Sequence, residues 1–267
     1  MRFLLAVFLA VTASGCVAGL NYGPTGPRYF GEPTPIFKRV DVASDTLRVV
    51  SFNIAFAKRV DRAIAVLTRD STLRIADVVL LQEMDEPGAR KVADALGMWY
   101  AYYPATFHLL TNRDFGNAVL SRWPIVEDSK ILLPHISRFR KTQRAATAAT
   151  LRVGDKLVRV YSAHLGTPAD VGPGARRNQL RTILADAARY ERVIIGGDMN
   201  NFSVGRVARD SGYHWPTEKG ARTIRLWKWD HIFLKGLALP DSAPAGGARD
   251  AGGASDHKPI WAVGILR

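Results

Sequence analysis

From Leu47 the chain reads Leu-Arg-Val-Val-Ser-Phe-Asn-Ile, apolar at both odd and even positions over most of its length. Successive side chains of a strand point to opposite faces, so this pattern predicts a strand covered on both sides of its sheet. Its polar residue, Asn53, lies near its end. The design recurs along the chain. Val78 to Leu81 closes on Gln82 and Glu83, Arg192 to Ile195 closes on Gly196-Gly197-Asp198-Met199-Asn200, and Leu157 to Leu165 ends around His164. Between these runs the period shifts to that of a helix, over Asp61 to Arg69 and over Arg176 to Tyr190. The second places Leu180, Ile183, Leu184 and Ala187 on one face. Alternating strands and helices predict an α/β fold. Strand ends that carry a carboxylate, a carboxamide or an imidazole predict a rim of loops where chemistry stands above a rigid sheet.

The N-terminus has a different pattern. One Arg precedes an apolar run from Phe3 to Val11, followed by Thr12, Ala13, Ser14 and Gly15 ahead of Cys16. The run is too short to span a bilayer as a helix, and its small-residue flank marks an export signal. Ala13-Ser14-Gly15-Cys16 resembles the lipobox of bacterial lipoproteins, in which the cysteine is acylated and becomes the new N-terminus. Ala13 stands where that motif more often has Leu, which leaves ordinary secretion after Ala13 or Gly19 as the alternative. Residues 19 to 35 hold four Gly and four Pro without apolar periodicity and read as a tether. The expected organisation is a signal peptide over 1–15, a Gly/Pro-rich tether over 16–45 and a catalytic domain over 46–267. Asp241 to Ala254, rich in Gly and Ala, reads as a surface loop.

Charge and composition narrow the classes. The 267 residues carry 37 Lys plus Arg against 24 Asp plus Glu, a formal charge of +13, with 47% apolar residues. Such a chain is neither disordered nor collagen-like, and its excess charge favours polyanions, either nucleic acid or an anionic membrane surface. A single cysteine excludes an internal disulfide framework. No Gly-x-Ser-x-Gly elbow, Walker loop, His-Glu-x-x-His or dinucleotide fingerprint is present. Further polar residues come late, in Trp229-Asp230-His231-Ile232-Phe233 and in Ser255-Asp256-His257-Lys258-Pro259-Ile260. Taken singly, each is most often a turn former, a cap or a packed histidine. As an ordered set they carry more weight, and a non-catalytic basic module would have no need of Glu83, Asp198, Asp256 and His257 together.

With these residues in place, the sequence from Leu47 to Val263 resembles the endonuclease/exonuclease/phosphatase family. Ser51 to Ile54, Leu80 to Glu83, Gly116 to Arg122, Ser162 to Leu165, Gly197 to Asn200, Asp230 to Phe233 and Ser255 to Pro259 match its motifs in order. The resemblance implies a four-layer α/β sandwich, two mixed β-sheets packed face to face with helices outside and the site at one end.

It also implies roles. Glu83, Asn53 and Asp256 would hold Mg²⁺ or Mn²⁺, ions that favour hard oxygen ligands. His257, oriented by Asp230, would polarise the attacking water or bind the phosphate. Asp198 would orient the nucleophile or carry a second metal, Asn200 would donate to a phosphate oxygen, and His164 would protonate or stabilise the leaving group. Asn117, Arg140, Lys141 and Arg144 are the expected phosphate contacts, in a stretch where Arg138, Arg140, Lys141 and Arg144 surround Phe139. Tyr103, which resembles a phosphate-contacting tyrosine of abasic-site enzymes, more often packs. The expected activity is Mg-dependent phosphodiester hydrolysis by a monomer, first on nucleic acid. Phospholipid or sphingolipid hydrolysis, or headgroup release, is the alternative, and an inactive nucleic-acid-binding relative comes third. The expected location is the cell envelope, with membrane attachment through lipidated Cys16, or soluble export.

Overall fold

The computed structural model describes residues 19–33, 45–109 and 111–266. In chain order its strands are β1 (Gly19–Asn21), β2 (Tyr29–Gly31), β3 (Thr46–Asn53), β4 (Val78–Met84), β5 (Trp99–His108), β6 (Arg113–Ser121) and β7 (Ile125–Leu132). They continue with β8 (Ala145–Val153), β9 (Lys156–His164), β10 (Val193–Asp198), β11 (Asp230–Lys235), β12 (Ala245–Gly247) and β13 (Ile260–Ile265). The helices are α1 (Val60–Arg69), α2 (Glu86–Leu96), α3 (Pro173–Ala187) and α4 (Val204–Asp210). One sheet runs β1-β5-β6-β4-β3-β13-β12, with β2 also paired to β5, and the other runs β11-β10-β9-β8-β7. Both are mixed, since β3 pairs β4 and β9 pairs β10 in parallel while their other pairings are antiparallel.

Three apolar clusters separate four layers. Val50, Phe52, Val79 and Leu81 pack outward against Ala63 and Leu67 of α1 and Ala89 and Val92 of α2. Tyr161, Val193, Ile195 and Phe233 pack outward against Leu180 and Ile183 of α3 and Val204 and Ala208 of α4. Leu47, Val49, Val78, Leu80, Val158, Val160, Ile194, Ile232 and Leu234 fill the space between the sheets. The expected sandwich is present, and the period-2 rule explains why strands buried on both faces look continuously apolar.

The alternation also explains where the site lies. Along the face of β3 that looks into the sandwich, Leu47 and Val49 give way to Ser51 and Asn53 two residues at a time. The same change from apolar to polar runs along Val158, Val160, Ser162 and His164 of β9, along Ile194, Gly196 and Asp198 of β10, and along Leu234, Ile232 and Asp230 of β11. All these positions are buried. The polar layer is hydrogen-bonded across the sheets: Ser51 Oγ donates to Gln82 Oε1 (3.4 Å), Gln82 Nε2 to Ser162 Oγ (3.0 Å), and Ser162 Oγ to the Leu81 carbonyl (3.0 Å).

Two expectations need correction. Residues 19–33 are not a free tether: β1 pairs with residues 106–108 of β5 and β2 with residues 100–102. Strands of three residues are too short to show a period, and edge pairing through the backbone needs none. Within the expected surface loop after Asp241, Ala245–Gly247 pairs with β13 as an edge strand. Cys16 and the signal segment lie outside the described residues.

Candidate active site

Glu83 arrives through a local distortion. The β4–β6 register shifts between Leu81 and Met84, and Glu83 takes φ +57°, a left-handed conformation costly for a residue with a Cβ. The turn after β3 is left-handed over three residues, Ala55 (φ 42°), Phe56 (62°) and Ala57 (50°). Glu83 binds the two distortions together, since the Phe56 N–H donates to its Oε2 (3.1 Å) and Asn53 Nδ2 donates to its Oε1 (3.2 Å). Strain held at such a point is a mark of a functional position. Asp198 depends on its neighbour Gly197, whose φ is +147° and where an added Cβ would lie 1.8 Å from the Ala163 carbonyl oxygen.

Asp198 sits at the centre. Its Oδ2 accepts from Asn53 Nδ2 (3.1 Å) and lies 3.5 Å from His164 Nε2 and 3.6 Å from His257 Nε2, while its Oδ1 accepts from the Asn200 N–H (2.9 Å). His257 Nδ1 donates to Asp230 Oδ2 at 2.8 Å. The second oxygen of Asp230, Oδ1, is buried without a hydrogen-bond partner. Ligand atoms of Asp198, Asp230 and His257 all lie within 4.8 Å of one another, a group able to surround a cation. Glu83, Asp256 and His257 also line a cleft of about 340 Å³ with Phe56, Lys58 and Arg59. Asp256 itself is exposed.

Burial governs the protonation states. It raises Glu83, and Asp256 adds to that rise, against the opposing pull of Arg144, Asn53 and His257. It pushes Asp198 up to about 7, with the charges of Asp230 and Glu83 acting in the same direction and His257 against. For His257 burial works downward but is outweighed by Asp230, Asp198 and Asp256, which raise it to about 10. At neutral pH His257 is therefore an imidazolium held between aspartates. That charge fits the phosphate-binding part of its expected role; a protonated ring cannot take a proton from water.

His164 is the opposite case. Burial, then the charges of Arg144 and His257, hold its pKa well below the usual value. Arg144 Nη1 approaches its Nδ1 at 3.0 Å and its Nε2 at 3.3 Å, and since a guanidinium only donates, its charge favours the neutral ring over the imidazolium. A neutral ring suits the stabilising half of its expected role, a hydrogen bond to a leaving oxygen, rather than the protonating half.

Other expected contacts divide. Arg144, with a side chain only 12% exposed, joins the cluster and lies 3.8 Å from Asp170. Arg140 is exposed on the turn above it, close enough for its charge to bear on Arg144 and His108, and Lys141 is exposed beside it. Asn117 is buried and donates to the Ala145 carbonyl (2.7 Å), linking β6 to β8. Asn200 Nδ2 likewise donates to the Leu165 carbonyl (3.0 Å), so its amide holds the β9 end in place. Tyr103 is buried, and its hydroxyl donates to Asp128 (2.6 Å).

The structure adds an aromatic wall that the motifs do not mark. Phe115 lies 5.8 Å from His164 and 5.0 Å from Phe56, and Phe56 lies 5.5 Å from His108. Arg144 covers Phe115 and Lys58 covers Phe56. Phe115 precedes Gly116 and Phe56 lies two residues after Ile54, both outside the matched motifs, and only the fold brings them together.

Comparison with known proteins agrees with this geometry. The family described as Endonuclease/Exonuclease/phosphatase matches residues 50–257, and the chain belongs to it; its members are hydrolases of phosphoester bonds. No curated protein sequence matches the chain. Among solved structures, an endonuclease/exonuclease/phosphatase from Beutenbergia cavernae superposes with a TM-score of 0.65 at 20% identity, covering 83% of this chain and 72% of its own. D. rerio TDP2 complexed with single-strand DNA product gives 0.62 at 18% identity, covering 84% and 100%. Sphingomyelinase C from Streptomyces griseocarneus gives 0.63 at 19% identity, covering 82% and 99%. At these identities the likeness is one of fold.

Proposed function

We propose that this chain is a divalent-metal-dependent phosphodiesterase that cleaves a polynucleotide at the cell envelope. The donor set fits a hard cation. Glu83 and Asp256 face one cleft, and burial and mutual repulsion raise the cost of carrying charge on Glu83, a cost that a cation would relieve. Glu83 and Asp256, with Asn53 behind them, would hold Mg²⁺ or Mn²⁺. Bound there, the ion would neutralise phosphate charge. Asp198, Asp230 and His257 are assigned to the reacting groups, because the His257 ring already bridges the two carboxylates, with Nδ1 on Asp230 and Nε2 3.6 Å from Asp198.

The remaining steps belong to the protein's own residues. Asp198, raised to about 7, accepts the proton of the attacking water from a position held by Asn53 and the Asn200 backbone. His257, fixed by Asp230, and Arg144 stabilise charge developing on the phosphate oxygens. Neutral His164 hydrogen-bonds to the leaving oxygen.

The observation that carries the polynucleotide reading is Arg144. It reaches into the carboxylate cluster from the foot of a turn whose exposed tip bears Arg138, Phe139, Arg140 and Lys141. Phe139 is 71% exposed, and the aromatic wall stands beside His164. Cations interleaved with aromatic rings suit phosphates with stacked bases. TDP2 in complex with DNA product shares the fold, as does a sphingomyelinase, which keeps the lipid alternative in view. The test offers plasmid, single-stranded DNA, RNA and phospholipid vesicles to the purified protein with Mg²⁺. The proposal expects chain cleavage of a nucleic acid; headgroup release with intact nucleic acid would overturn it in favour of the lipid alternative.

A further inference from the structure

The segment that reads as a tether makes direct hydrogen bonds to the turn that delivers Arg144. Asn21, the last residue of β1, donates from Nδ2 to the Lys141 carbonyl (2.8 Å). Its Oδ1 accepts from the Gln143 N–H (2.7 Å) and from Thr106 Oγ1 (3.2 Å). The Thr106 hydroxyl also lies within hydrogen-bonding distance of the Gln143 carbonyl (3.2 Å). One exposed side chain thus joins β5 to both sides of Thr142, close to Arg144 in the chain. Gly19 passes so near that an added Cβ would lie 2.3 Å from Thr106 and 3.2 Å from Thr142.

The rest of the segment is fastened independently of the turn. Arg28 pairs with Asp128 (2.6 Å), and Lys130 Nζ donates to the Gly23 carbonyl (2.9 Å) and to the Gly26 carbonyl. On its other side the turn is held from within: Ser137 Oγ donates to Asp170 Oδ1 (2.6 Å), and the Arg138 N–H donates to the Asp170 carbonyl (3.2 Å). The turn is therefore clamped between Asp170 and Asn21, with Lys141 at φ +54° between them. From Asn21 the contacts run through Gln143 to Arg144 and from Arg144 to His164.

We propose that residues 19–33 are a positioning strap for the active site, in which Asn21 sets the 137–144 turn and so places the Arg144 guanidinium against His164. Asn21 touches none of the reacting groups. Its effect passes through the Gln143 and Lys141 backbone, and a shift of about 1 Å in a group that stabilises a transition state is enough to cost catalysis.

The kinetic reading rests on the proposed phosphodiesterase activity, so the experiment has a second readout that does not. Asn21→Ala and Asn21→Asp in the full chain are compared with wild type by amide hydrogen exchange and by the imidazole ¹⁵N signals of His164. Turnover of bis(p-nitrophenyl) phosphate with Mg²⁺ is measured alongside. Asn21 is exposed, so the variants keep the core. Asn21→Ala is expected to deprotect the Gln143 amide, shift the His164 signals and lower kcat at least about tenfold with KM little changed. Asn21→Asp keeps the acceptor for Gln143 and should recover much of the loss. Wild-type exchange and wild-type His164 signals in Asn21→Ala would overturn the strap, as would lost protection with unchanged kcat. If wild type hydrolyses no phosphodiester, the activity proposal fails, and the exchange and His164 signals still decide the strap.

Discussion

Among the ionisable groups of the cleft, His257 has a direct consequence for stability. Its folded pKa is about 10 against an ordinary 6.5. A raised folded value means that the native state binds the proton more tightly than the unfolded chain. The stabilisation is complete below about pH 6.5 and is lost as pH rises through 10. Asp198 shifts in the same sense, from 3.8 to about 7, so its contribution is lost as pH rises through 7, while that of His257 goes on falling up to 10. In EDTA, the midpoint of thermal unfolding should therefore decline between pH 7 and pH 10. Asp230→Asn, which removes the strongest charge on the ring, should shrink that decline. A wild-type midpoint that stays level over this range would show that the aspartates do not hold the His257 proton.

At the scale of elements, the turn 137–144 is where chemistry and substrate grip meet. Its exposed cations should each neutralise a phosphate, and removing any one of them should lower the slope of log affinity against log salt by about one unit. Arg140→Ala with Lys141→Ala should thus flatten the salt dependence of DNA cleavage by about two units, read from KM across a salt series. An unchanged slope would make the turn a solvated surface.

What the sequence made legible follows from the same geometry. β3, β4, β9 and β10 were readable because burial on both faces makes them continuously apolar and their ends carry the polar residues of the cleft. Asn53, Glu83 and Asp198 could be picked out from those ends, and Asp230 and His257 from the late Asp230-His231 and Ser255-Asp256-His257 stretches. β1 and β2 were hidden because strands of three residues carry no period, and the side chains that fasten them, Asn21 and Arg28, meet partners distant in sequence. The meeting of Arg144 with His164, the commitment of the Asn117 and Asn200 amides to backbone carbonyls, and the clamp at Asn21 depend on partners distant in sequence. No local pattern announces them. The neutral state of His164 is likewise set by Arg144 and burial, neither visible in a run of residues.

For the whole molecule, the formal charge of +13 makes association with a polyanion favourable at long range, whereas the cleft decides what is done to it. Export and attachment through Cys16 are proposed from the lipobox-like stretch. Cys16→Ser should move the protein from the membrane to the soluble exported fraction, and a wild-type protein that carries no fatty acid would refute the anchor. The central claim is that Glu83 holds the divalent ion on which hydrolysis of a polynucleotide depends. It is tested most directly by titrating plasmid cleavage with Mg²⁺ for wild type and Glu83→Gln. Wild type should cleave with Mg²⁺ and stop with EDTA, and the variant, its fold intact, should need far more Mg²⁺ and turn over roughly 100-fold slower or worse. Cleavage indifferent to EDTA, or a variant equal to wild type at limiting Mg²⁺, would contradict it.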